Sequence, residues 1–360
     1  MAGRSVYEWL WPIVACVPSE LAHELGLLAL RAPLPLGGAP VEDPFEWRGH
    51  RFRNRVGIAA GLDKNGVALR GLAALGPGFV EVGTVLSRPH GGNAVRPRMR
   101  RMLRERALWN RLGFPSEGAA RVRDRLAKAP LADVALAVNL APHPLTVKSA
   151  ETEPGFATRA RAELFEIARL LHPWAAFFVL NASSPNTAGL RRQLEGAGFA
   201  QEIAGPLRAE LLRLDAAARR LAPTLLLVKL PPEDADGKPL GPDGLARLVR
   251  PFLAPDVCDG FVAINTSVSL ARPSVRVGEG EPSGGVSGAP LRALAREALA
   301  ALAGLAPGAL RIGVGGVMEP EDAAALVTAG AHLVEVYSGL VYRGPRFVRD
   351  CAAAIRAGGR

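Results

Sequence analysis

The 360-residue chain has three cysteines, Cys16, Cys258 and Cys351, far apart and without paired spacing. Neither a disulfide framework nor a zinc site is indicated, and a reducing compartment fits. The six histidines are scattered, which argues against a metal enzyme. No apolar run approaches the roughly 18 residues of a membrane-spanning helix. A secretory signal fits poorly, because Glu8 lies near the start and no small-residue cleavage site follows. Aromatic residues make up 6% of the chain and interleave with no basic patch, which counts against nucleic acid as a partner.

What is present is ordinary for a soluble globular protein: 49% hydrophobic and 22% charged residues. The length allows one large domain or two, with a big core. The net charge of +10 is carried mostly by arginine, and the only dense basic cluster is Arg96 to Arg106. Compositional bias toward Ala, Arg and Gly explains the charge most simply. An anionic substrate or membrane comes next, and nucleic acid last.

From Val56 onward, short apolar runs alternate with helix-forming stretches. The runs are Val56–Ala60, Phe79–Thr84, Leu136–Leu140, Ala175–Leu180, Leu225–Lys229, Gly260–Asn265, Arg311–Gly315 and Leu333–Tyr337. Amphipathic segments such as Arg159–Leu171, Pro206–Leu221 and Pro290–Leu305 separate them. Alternating β and α units predict a parallel sheet, and eight of them predict an α/β fold, a closed (β/α)8 TIM barrel. Nearly every run ends in glycine or a hydrogen-bonding side chain: Gly61 to Lys64, Thr84, Asn139, Asn181, Lys229, Asn265, Gly316, Ser338. Turn formation explains the glycines, but not two lysines and several asparagines on one rim. That rim is where a barrel keeps its active site.

The first forty residues differ. Tyr7–Val17 and Pro18–Leu30 predict two short helices broken near Pro18, with Ser19 placed to cap the second. Their apolar residues include two tryptophans, which suit a membrane interface or a hairpin packed on the barrel. Ala32 to Asp43, rich in proline, reads as a linker. The expected division is therefore a helical segment with linker over 1–40 and a barrel over 41–360.

Gly313-Val-Gly-Gly316 and Tyr337-Ser-Gly339 are small-residue turns at the last two strands, where barrels commonly hold a phosphate on backbone N–H groups. Lys64 and Lys229 suit charge stabilisation of a reduced flavin or a substrate carboxylate, and snorkelling to solvent is their plain alternative. Ser184 is the candidate proton acceptor, although Ser183, Ser184 and Thr187 also suit a loop or helix cap. No Gly-x-Ser-x-Gly elbow surrounds Ser184, which disfavours a hydrolase.

On these motifs the chain resembles class 2 dihydroorotate dehydrogenase, the quinone-linked flavoenzyme of pyrimidine synthesis. The resemblance runs from about Ser19 to Arg346. Its anchors are AAGLDKNG from Ala59, EVGTV from Glu81, NRLGF from Asn110 and NASSPNTAGLR from Asn181. VKLPPE from Val228, INTS from Ile264, GGVSGAPL from Gly284, IGVGGV from Ile312 and VYSGLVYRGP from Val336 follow in the same order.

The resemblance implies an FMN-containing barrel that oxidises dihydroorotate to orotate with a membrane quinone as final acceptor. It implies a monomer bound peripherally to the cytoplasmic side of the cell membrane, with no nucleic-acid partner. Serine at 184, where soluble class 1 enzymes use cysteine, and the N-terminal helices both fit class 2. Carried over residue by residue, orotate binding falls to Lys64, Asn110, Arg111, Leu112, Gly113, Phe114, Asn181, Asn186, Asn265 and Thr266. FMN falls to Ala60, Gly61, Leu62, Asp63, Lys64, Thr84, Asn139, Asn181, Lys229, Ile264, Gly288, Gly316, Tyr337 and Ser338. Ser184 takes the C5 proton, and Arg101 meets the quinone headgroup.

Three positions depart from the family pattern. Leu140-Ala-Pro-His-Pro144 replaces the usual Gly-Lys-Asn, Ile264 replaces a threonine near the flavin, and Pro115 replaces an asparagine. Weaker flavin binding is expected, rather than loss of activity. Two other readings compete: an FMN barrel acting on RNA, such as a dihydrouridine synthase, and a degenerate barrel with a binding or structural role.

Overall fold

The computed structural model describes residues 6–31, 34, 36–128, 131, 134–150, 152–187, 189–196, 198–270 and 284–359. Part of the Pro-rich stretch read as a linker, and Ala188 of the Asn181 motif, lie outside them.

Eight parallel strands close into a barrel: β3 (Val56–Ile58), β4 (Phe79–Val85), β7 (Ala135–Leu140), β8 (Phe177–Leu180), β9 (Leu225–Leu230), β10 (Gly260–Ala263), β12 (Leu310–Val314) and β13 (Leu333–Val336). Each pairs with its neighbour in sequence, and β13 closes on β3 through the register Glu335↔Gly57. These are the eight expected runs, with ends shifted by a residue or two. The expected TIM barrel is the observed fold.

Strand burial explains why the runs read as continuous hydrophobic sequence: both faces are covered. One face points into the barrel, where Phe79, Ala137, Phe177, Val179, Leu227, Ile312 and Leu333 form an inner cluster. The other face meets the helices. Helix Phe156–Leu171 buries Ala160, Leu164, Ile167, Ala168 and Leu171, the spacing of one apolar stripe. Helix Gly205–Ala218 ends where Arg219 turns left-handed (φ 53°), short of the expected Leu221.

Two features were not expected. An antiparallel hairpin, β1 (Phe45–Trp47) and β2 (His50–Phe52), plugs the barrel floor. Phe52 meets Phe79 and Phe177 there at ring centroid distances of 6.0 and 6.4 Å. A three-stranded antiparallel sheet stands over the opposite rim: β5 (Met99–Met102), β6 (Ala107–Asn110) and β11 (Gly285–Gly288). The dense arginine cluster is thus largely a β-hairpin. Its third strand comes from more than 170 residues away, held by the registers Gly285↔Asn110 and Gly288↔Ala107.

The N-terminal helices are as expected: α1 (Val6–Cys16) and α2 (Ser19–Ala29). Ser19 does not cap α2. Pro18 occupies the cap position, with no side-chain hydrogen bond, because the helix already begins at Ser19. Neither helix has a buried residue. Polar ties hold the pair to the barrel: Tyr7 Oη donates to Val341 O (2.7 Å), and Arg98 pairs with Glu20 (3.0 Å). Trp11 packs on Tyr342 at 4.8 Å. Among the described residues no helix is long and apolar enough to cross a membrane.

The aromatic floor should be the barrel's mechanical base. Phe177→Ala removes a fully buried ring facing two others and should cost about 3–5 kcal/mol. Urea unfolding would check this, and a loss below about 1 kcal/mol would show that the floor closes around the gap.

Candidate active site at the barrel rim

The carboxyl ends of the strands open into a cavity. Lys64, Asn110, Leu112, Gly113, Phe114, Asn181, Asn186, Asn265 and Thr266 of the expected substrate set line it, with Ser184, the expected base. So do Ala60, Gly61, Thr84, Lys229, Ile264, Gly288, Gly316, Tyr337 and Ser338 of the expected cofactor set. Residues from seven of the barrel strands or the loops after them, and from the sheet over the rim, therefore converge on one space.

Its polar wall is a connected network. Thr84 Oγ1 donates to Asn139 Oδ1 (2.5 Å), and Asn139 Nδ2 donates to Glu81 Oε1 (2.7 Å). Asn181 Nδ2 donates to Asn139 Oδ1 (3.1 Å), while Asn181 Oδ1 accepts from Ser183 Oγ (3.0 Å). Asn265 Nδ2 donates to Ser183 Oγ (2.9 Å). The Asn186 amide nitrogen donates to Asn110 Oδ1 (3.0 Å), joining the sheet over the rim to the Ser184 loop. Asn186 Oδ1 is buried without a partner, an acceptor left for a ligand donor. Ser184 Oγ accepts from the backbone N–H of Asn186 (3.3 Å).

Lys64 Nζ donates to Gly61 O (2.6 Å). Burial pushes this ammonium down to about 8, against the opposing pull of Asp63. A ligand carboxylate would supply the missing counter-charge. Burial likewise pushes the Tyr337 hydroxyl up to about 12, so it stays protonated.

The opposite end of the cavity is built from side-chain-free backbone. Gly315 and Gly316 have φ of +113° and +79°, and a Cβ on Gly316 would come within 2.3 Å of Arg292 Cα. A Cβ on Gly288 (φ +95°) would meet Arg106 O at 2.5 Å. Beside these turns the Ser287 and Ser338 hydroxyls lie 2.8 Å apart. Glycine turns with two hydroxyls suit a phosphoryl group, and the amides of Asn181 with the ammonium of Lys229 suit a flat polar ring. The residues present fit a phosphorylated planar cofactor.

Five expected residues stand elsewhere. Asn139 lies one layer below, reaching the cavity only through Thr84 and Asn181. Asp63 turns away to accept from the backbone N–H groups of Val67 (2.9 Å) and Ala68 (2.7 Å), and Leu62 joins the core outside the barrel. Arg111 is buried against Val95 O. Arg101 donates to the carbonyls of Val14 (2.7 Å) and Val17 at the end of α1. Sequence reading missed Met99, Leu108, Ser287 and Glu335, which also line the cavity. The turn Gly313-Val-Gly-Gly316 included Gly315, which also lines the cavity, but only Gly316 was carried into the expected cofactor set.

The altered loop after Asn139 forms a capped turn. His143 Nδ1 accepts from Leu145 N (3.2 Å) at the start of helix Pro144–Ser149, and Glu163 holds the His143 backbone N–H (2.8 Å).

The dihydroorotate dehydrogenase family profile matches residues 45–357, so the chain belongs to the dihydroorotate dehydrogenase family. It is 39% identical to a dihydroorotate dehydrogenase (quinone) of Rhodospirillum rubrum, over 98% of this chain and 91% of that one. A protein of the same name from Akkermansia muciniphila is 37% identical, over 94% and 93%. Among solved structures, DHODH from Eimeria tenella in complex with ferulenol superposes with a TM-score of 0.80 at 29% identity, covering 96% of this chain and 93% of that one.

Proposed function

We propose that this protein oxidises dihydroorotate to orotate and passes the electrons to a quinone, with FMN as its cofactor, in pyrimidine synthesis. One observation carries the reading: Lys64, Asn110, Asn186, Asn265 and Ser184, distant in sequence, line one cavity in a chain of this family. A ring with imide donors and carbonyl acceptors needs side chains that offer both, and the asparagines do.

Lys64 takes the substrate carboxylate, with Asn110, Asn186, Asn265 and Thr266 fixing the ring and the Leu112–Phe114 loop closing over it. Ser184 Oγ accepts the proton that leaves C5. FMN, when bound, supplies the acceptor for the hydride from C6 and hands the electrons on to quinone. Gly288, Gly316 and Ser338 would hold its phosphate, and Thr84, Asn181 and Lys229 its ring. Ala60, Gly61, Ile264 and Tyr337 complete that wall.

Residues 1–40 are the quinone-access segment and 41–360 the catalytic barrel. Trp9 (69% exposed), Ile13 (68%), Leu25 and Leu28 offer an apolar face on α1 and α2 for peripheral docking on the cytoplasmic side of the cell membrane. Arg101, where the hairpin meets the barrel, is the quinone-side residue. The protein acts as a monomer.

Three outcomes test this reading. Ser184→Ala should slow flavin reduction by dihydroorotate by roughly 10²- to 10⁴-fold in stopped flow, the usual worth of a positioned base. Near wild-type rates would reject the serine. Lys64 is charged below about pH 8 and neutral above it. The kcat/KM for dihydroorotate should therefore fall as pH rises through that value, and Lys64→Gln should abolish this limb. A profile unchanged in the variant would remove Lys64 from substrate binding. Finally, Trp9→Ser with Ile13→Ser should release the protein from sedimenting liposomes. Equal retention of variant and wild type would show that the hairpin is no anchor.

A further inference from the structure

Beneath the cofactor end of the cavity lies a carboxyl group for which the reaction has no stated use. Glu335 projects from β13 into the barrel, is 1% exposed, and lines the same space as Lys229. Among the described residues, neither of its oxygens receives a hydrogen bond from a conventional donor. The Lys229 ammonium is 3.9 Å away, beyond hydrogen-bond reach. Glu81 of β4 is its other charged neighbour, and both Glu81 oxygens are occupied. Oε1 accepts from Asn139 Nδ2 (2.7 Å) and Oε2 from the Ala60 N–H (3.2 Å).

The two possible states of Glu335 differ sharply in what they demand. As a carboxylate it would be a buried charge without a hydrogen bond, facing a second carboxylate in a low-dielectric interior. As a carboxylic acid it has one O–H to give, and Glu81 is an anion with lone pairs to spare. Two carboxyls that share one proton are a recurrent solution to this conflict.

We propose that Glu335 is a protonated carboxylic acid in the working protein, donating to Glu81 and so leaving Lys229 opposed by one carboxylate charge rather than two. Burial and the Glu81 charge push Glu335 well above the ordinary carboxylate range, and Lys229 only partly opposes them. With the proton in place, Glu81, Glu335 and Lys229 sum to zero charge. Without it they sum to −1, in the wall that would hold a flavin ring, which gains negative charge on reduction. The 3.9 Å approach to Lys229 is then not a salt bridge. Glu335 is a positioning residue that acts through Lys229, and its proposed purpose rests on the FMN reading above.

The test uses the holoprotein at neutral pH and two readouts that do not depend on turnover. Infrared difference spectra in H2O and D2O should show a protonated-carboxyl C=O band that shifts on deuteration and disappears in Glu335→Gln. A variant that loses only carboxylate bands would overturn the assignment. The flavin midpoint potential should not shift in Glu335→Gln, because glutamine is neutral and offers Glu81 the same kind of donor. A positive shift would mean that a negative charge had been removed, and would equally overturn it. If Glu335→Gln does not fold, Glu335→Met, neutral and of similar length, supplies the same subtraction. The carboxyl band can also be read in flavin-free protein. A chain that takes up no FMN would therefore sink the functional reading while leaving the proton assignment standing or fallen on its own result.

Discussion

The rim depends on Asn139, a residue that never touches the cavity. Its amide is fully buried, and it uses both ends: the oxygen accepts from Thr84 and Asn181, and the nitrogen donates to Glu81. A buried amide with both ends paired fixes the orientation of its partners, since rotating it would break three bonds at once. Asn181 must therefore present its oxygen toward Ser183, and Ser183 in turn receives Asn265. The donor directions of Asn181, Ser183 and Asn265 are inherited from this one side chain. This also explains how an apolar barrel can carry a polar upper layer: the groups of this network satisfy one another before any ligand arrives.

A second constraint joins the loops that carry the proposed chemistry. Arg191 is 7% exposed, and its guanidinium donates to Ser183 O (3.0 Å), Thr266 O (3.2 Å) and Glu233 (3.3 Å). Burial weakens the hold of Arg191 on its proton, and Glu233 opposes that effect. Glu233 is itself buried. That works against its charge, yet donors from Ser267, Val268 and Ser269 hold its carboxyl below the ordinary range. The pair is thus a fork that fixes the loop before Ser184 and the loop after β10 to one another. Such an arrangement is costly to build and more costly to break, because removing one partner leaves the other charged and buried.

Much of this was legible in the sequence, and the reason is periodicity. Eight fully buried strands read as apolar runs, and their polar ends stood out because asparagine and lysine are poor core residues. Lys64, Asn181, Ser184, Lys229 and Asn265 were visible for that reason. Contacts between distant segments were not visible. β11 pairs with β6 across more than 170 residues, so the arginine-rich stretch around Met99 gave no sign of being a strand. Asp63, in the loop after β3, and Arg111, just past β6, sit inside motifs that do reach the cavity, but motif membership does not say which way a loop turns each side chain. Glu335 escaped because a single glutamate in a Leu-Val-Glu-Val run looks like an exposed strand position. Only closure of the barrel turns it inward.

The helical hairpin obeys a different balance from the barrel. The barrel closes on itself and leaves no strand edge to satisfy. α1 and α2 bury no residue and expose Val6, Trp9, Leu10, Ile13, Leu21, Leu25 and Leu28 together. What holds them is a few polar ties, the Arg101 guanidinium on the carbonyls of Val14 and Val17, Glu20 on Arg98 and Tyr7 on Val341, with the ring of Trp11 packed on Tyr342. These ties are few: a hydrogen bond contributes about 0.5–1.5 kcal/mol net, and the Arg98–Glu20 pair is largely shielded from solvent. Burying the exposed side chains against an apolar phase would contribute more, at about 25 cal/mol per Å². The hairpin's resting position is therefore set as much by what covers its outer face as by the barrel beneath it. In the proposed setting that cover is the membrane that also carries the quinone, so docking and access to the oxidant become the same event.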